Sequence, residues 1–144
     1  MKKFVTLLLC FMLLFTSSSY AQPNIISDTL NDMQTVDRRI NIIIKSIIGD
    51  DPINVEEIEK EVRYVESILG QRSRQLENVR TSETNLQTRR SYTSLLYGIT
   101  SYELTLDSIL LYVNNQNQAD YFIEACSAYQ HGSYVLNNIS SRNP

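Results

Sequence analysis

From Tyr92 to Val113 apolar side chains recur at alternating steps of three and four, through Tyr92, Leu95, Ile99, Tyr102, Leu106, Ile109 and Val113. That spacing is the signature of one buried face on an α-helix. A stripe of this length admits few folds, because a helix with one apolar face must bury it against other helices or a sheet. The rest of the chain offers more helices.

Ile26, Leu30, Met33, Ile40, Ile44 and Ile47 form an earlier stripe, broken only at Asp37, whose neighbour Val36 can take its place. Gly49, Asp50, Asp51 and Pro52 then stop it, glycine by accepting a left-handed cap and proline by ending the hydrogen-bond ladder. The β-branched run Ile42–Ile44 suits a strand, but its flanks keep the helical period over a longer window.

A second helix opens on Asn54, with Glu57 closing a capping box and Ile53 stapling onto Ile58. Val55, Ile58, Val62, Val65, Leu69, Leu76 and Val79 continue its stripe, Arg72 holds the missing seat, and Gly70 is a point where the helix can kink or end. Phase is lost between Arg80 and Asn85, where Thr84 and Gln87 suggest a new cap and a short turn; one long helix through this stretch is the competing reading. After the polar turn Asn114–Gln118, a last helix capped by Asn117 carries Phe122, Ala125, Tyr129, Gly132, Leu136 and Ile139. Four helices joined by short turns predict an all-α, up-down-up-down four-helix bundle.

The start of the chain has a different logic. Lys2 and Lys3 precede an uncharged apolar run, Phe4–Phe15, and the small-residue site Ser19, Tyr20, Ala21. This is the layout of a secretory signal peptide, and the run falls short of the ~20 residues of a membrane span. The expectation is a leader at 1–21, cleaved before Gln22, and a single helical domain at 22–144, exported to the periplasm or beyond and without a stable membrane anchor. Cys10 would leave with the leader, so Cys126 stands alone and no internal disulfide can form.

Charge and residue counts narrow the function. The formal charge is −3, and removing Lys2 and Lys3 makes it more negative, so the basic footprint of a nucleic-acid binder is missing. His131 is the single histidine, which excludes any two-histidine metal site within one chain, and Ala128 stands where a Glu-x-x-His motif needs its glutamate. Cys126 and His131 are about 140° apart around one helix and cannot act as nucleophile and base. A haem held between Met33 and His131 fails the same test, since His131 lies about 130° off its helix's stripe, and no Cys-x-x-Cys-His site exists. No cofactor, metal or catalytic group is therefore assigned. Glu56, Glu57, Glu59 and Glu61 read as solvated carboxylates at a helix start.

Three surfaces remain. Arg72, Arg74, Arg80, Arg89 and Arg90 gather around the second turn as an anion or partner contact. Tyr102 and Tyr129 offer a ligand pocket between the third and fourth helices. Tyr97, Leu104 and Leu111, spaced by seven and opposite the main stripe, form a second apolar line on a helix that needs only one. The leading expectation is an exported, non-enzymatic helical module of accessory, assembly or inhibitor type, acting through contact with a protein partner or with itself across Tyr97, Leu104 and Leu111. Small-ligand binding at the tyrosines is the alternative.

Overall fold

The computed structural model describes residues 24–49 and 51–141. The leader read at 1–21 lies outside the described residues, as does Asp50. The described residues form four helices: α1 (Ile25–Ile48), α2 (Val55–Ser82), α3 (Leu86–Asn114) and α4 (Ala119–Ser140). There is no strand among the described residues, and Ile42–Ile44 are helical.

Side-chain pairs fix how the helices run. Arg72 meets Asp32 and Arg39 meets Glu61, so α1 and α2 are antiparallel. Asp37 meets Tyr102 and Met33 meets Gly98, which sets α1 and α3 in the same direction across the bundle. Ser108 reaches Glu124 and Tyr112 packs on Phe122, so α4 runs back along α3. Helix α4 also returns to α1, while α2 and α4 do not meet among the described residues.

The helix ends show which local signals prevailed. Asn24 caps α1 through Ser27, and Asn54 caps α2 by accepting from the Glu57 N–H at 3.2 Å. The reciprocal arm of that box joins the two side chains, Asn54 Nδ2 donating to Glu57 Oε2 at 3.3 Å. Gly49 ends α1 in an extended conformation, φ −72° and ψ 171°, not in the expected left-handed cap. Helix α2 passes Gly70 without ending. Helices α2 and α3 are separate, and the cap between them is Asn85, which accepts from the Gln87 and Thr88 N–H groups, rather than Thr84. Gln118, not Asn117, precedes α4, and its side chain makes no capping bond.

All seven residues of the α3 stripe are buried. On α1 the buried row is Thr29, Met33, Val36, Ile40, Ile43 and Ile47, with Leu30 beside it; Ile43 is buried in that row, and Ile44 is half-buried at its edge and packs against the core. On α2 the buried residues are Ile58, Val62, Val65, Leu69 and Leu76. Helices α3 and α4 make the most extensive contact of all. Small residues permit it: Gly98, Ser101, Thr105 and Ser108 on α3 meet a face of α4 that carries Ala125, Ala128 and Gly132, all buried. Of the buried hydroxyls on this face of α3, Ser101 donates to the Tyr97 carbonyl at 3.0 Å and Thr105 to that of Ser101 at 2.9 Å, while Ser108 donates across to Glu124 at 3.1 Å.

Candidate functional site

Helix α3 turns its main stripe to the core and its small residues to α4, which leaves a third face outward. Tyr97, Leu104 and Leu111 occupy it, 60%, 45% and 49% exposed. The core is thus completed without them. Leu86, 65% exposed at the start of α3, extends the same face by the heptad logic. Beside Tyr97, across the seam with α4, stands Tyr134, 69% exposed, and the two rings share a groove of about 460 Å³. Leu111 borders a second groove, of about 650 Å³, with Tyr121 from α4. Leu86 and Tyr134 escape a search for apolar residues spaced by seven. Leu86 has a polar residue, Thr93, as its heptad successor, and Tyr134 belongs to a different helix.

Electrostatics at this face are uneven. Glu103, at the α2 side of α3, has its carboxyl pushed up by burial first and then by the like charges of Asp107, Glu66 and Glu77. Asp107 is exposed on the outer face near one end, and Arg90 is exposed near the other. Neither has an ion-pair partner within the chain among the described residues.

The tyrosine pair is brought together, with ring centroids 6.3 Å apart and tilted at 40°. Its surroundings are filled. Tyr102 is fully buried and donates to Asp37 Oδ1 at 2.8 Å, while the Tyr129 hydroxyl accepts from Asn41 Nδ2 at 3.2 Å. Gly132 lies so close that a Cβ there would stand 2.7 Å from the Tyr102 ring. Burial, followed by the Asp37 charge, pushes the Tyr102 phenol far above its ordinary value, and burial raises that of Tyr129 as well. The pair acts as a polar tie between α1, α3 and α4.

The arginine group is dispersed. Arg72 is drawn inward to Asp32 at 2.6 Å and Gln75 at 2.8 Å, part of the wall of a groove of about 410 Å³ beside Ile25. Arg80 is half-buried, and its Nε has no hydrogen-bond partner among the described residues. Arg74, Arg89 and Arg90 are exposed, the last two at the start of α3. Of the acidic run, Glu61 binds Arg39 at 2.6 Å and Glu59 binds Arg63 at 3.4 Å, and Arg39 also lies 4.3 Å over the Tyr64 ring. Met33 is buried and packed at Gly98, whereas His131 is exposed. Cys126 is half-buried, and burial raises its thiol. No group of three or more histidine, cysteine or carboxylate side chains is placed to hold a metal among the described residues, and no described helix is long and apolar enough to cross a membrane.

Compared with known proteins, the chain matches no family model, no curated protein and no solved structure.

Proposed function

We propose that this protein is an exported, non-enzymatic helical module that works by protein contact through the outer face of α3. One observation carries the reading: Tyr97, Leu104 and Leu111 stand in line on the solvent side of a helix whose two other faces are already covered. An aligned row of exposed large apolar residues that includes an aromatic has the make-up of a contact surface, whereas isolated exposed apolar residues need no explanation. The filled environment of Tyr102 and Tyr129 favours protein contact over a ligand held between those rings. Export is the part of the proposal that rests on the leader alone, Lys2 to Ala21.

Two experiments test it. Intact mass of the product from the native envelope or medium should correspond to a chain starting at Gln22; retention of Lys2 would contradict export by this leader. Replacing Tyr97, Leu104 and Leu111 together by Ser should leave a folded protein that loses the association shown by the wild type. A folded variant with every association intact would remove the contact-surface reading.

A further inference from the structure

We infer that the occupant of the α3 outer face is a second copy of the same chain, laid antiparallel along α3 and held in register by Arg90 of each copy against Asp107 of the other. The inference rests on the reading of that face as a contact surface and adds the identity of the partner and its alignment.

The face repeats with steps of four and three from Leu86 to Leu111, about 38 Å at 1.5 Å per residue. Every position in that repeat is exposed. Its chemistry is asymmetric: Arg90 lies one step inside Leu86, and Asp107 one step inside Leu111. A twofold interface makes each contact twice, residue against partner and partner against residue. With the axis level with the Gly98–Ile99 peptide, Leu86 faces the second copy's Leu111 and Arg90 faces its Asp107. Moving inward, Thr93 faces Leu104 and Tyr97 faces Thr100. Apolar residues then close both ends, opposite charges sit just inside them, and Tyr97 lies beside the axis.

Other alignments lose these matches. A parallel pair sets Arg90 beside Arg90 and Asp107 beside Asp107, which like charge disfavours. Sliding the antiparallel pair one heptad toward the end of α3 puts Tyr97 against Asp107 and leaves Leu86 outside the contact. Sliding it the other way leaves Asp107 and Leu111 unpaired. Arg90 and Asp107 have no ion-pair partner among the described residues of one chain, which leaves both charges for a pair between chains.

The pairing predicts a selective result. Arg90→Asp places carboxylates opposite carboxylates at both ends, and Asp107→Arg places guanidinium groups opposite each other. Each variant alone should run as a folded monomer by light scattering under conditions where the wild type is a dimer. Mixed in equal amounts, they present only opposite charges to one another, and the dimer mass should return. A wild-type dimer that neither reversal affects, or single variants whose mixture stays monomeric, would overturn the register. A monomeric wild type would overturn self-pairing altogether. The underlying contact-surface reading fails by a different result, namely a Tyr97→Ser/Leu104→Ser/Leu111→Ser variant that keeps every association of the wild type.

Discussion

The hydroxyl of Tyr102 donates to Asp37 at 2.8 Å across the middle of the bundle, so the one break in the α1 stripe is the partner of a fully buried phenol on α3. A hydrogen bond to a charged group contributes more than a neutral one, about 1.5–3 kcal/mol. Tyr102→Phe should therefore lower unfolding stability by about 2 kcal/mol in urea melts near neutral pH. The sign with pH follows from the raised phenol. Folded Tyr102 keeps its proton above the ordinary value of 10.0, where the unfolded chain releases it, so this contribution is complete below that value and is lost as pH rises past it. Alkaline melts should fall more steeply for the wild type than for Tyr102→Phe, and equal slopes would show that the phenol is not held neutral.

Gly132 and Gly70 should respond oppositely to alanine. A Cβ at Gly132 meets the buried Tyr102 ring at 2.7 Å, while at Gly70 the nearest atom is Arg74 Nη1 at 3.8 Å. Overpacking a core costs about 1–3 kcal/mol, against a helix-propensity gain of about 1 kcal/mol. Gly132→Ala should lower the melting temperature and Gly70→Ala should raise it. A stabilised Gly132→Ala would mean that α3 and α4 are less closely packed than described.

Thr29 faces the core fully buried, and its Oγ1 has no hydrogen-bond partner among the described residues. Valine keeps the shape and removes the orphan group. Thr29→Val should stabilise by about 1 kcal/mol in denaturant unfolding, and a loss of similar size would reveal a partner for the hydroxyl.

These residues also mark how far the sequence could be read. The core stripe of α3 is legible from the sequence because it has no polar interruption. On α1 the core row Thr29, Val36 and Ile43 competes with the adjacent row Leu30, Asp37 and Ile44, which is more apolar at its first position. Three consecutive isoleucines at Ile42–Ile44 give no contrast by which to choose. Asp37 looked like a defect because its partner lies 65 residues away. The α3–α4 seam was not visible, since Gly98, Ser101, Thr105 and Ser108 are not apolar by type and are buried because they are small. At the second turn Thr84 and Asn85 are both good caps, and local chemistry does not rank them. On the outer face the line Tyr97, Leu104 and Leu111 is legible from its spacing, whereas Arg90 and Asp107 share the same heptad positions without being apolar and so do not stand out.

Glu103 gives a second pH test, on the acid side. Burial and then Asp107, Glu66 and Glu77 raise its carboxyl above the ordinary 4.5, so the folded state favours the protonated form. That favourable contribution is complete below 4.5 and is lost as pH rises through the folded value, because the charged form is opposed by burial and by its acidic neighbours. Glu103→Gln should be more stable than the wild type near neutrality, with the difference shrinking as the pH falls toward 4.5. A difference that grows on acidification would contradict the repulsion.

The central claim is that the outer face of α3 is a contact surface and not part of the core. Light scattering of the Tyr97→Ser/Leu104→Ser/Leu111→Ser variant beside the wild type, each paired with a thermal melt, tests it most directly. Exposed positions of this kind shift stability by about 0.5 kcal/mol or less each, so the melt should barely move while the mass falls from dimer to monomer. An unchanged mass with an unchanged melt would make the row ordinary surface, and a collapsed melt would put the wrong face of α3 outward.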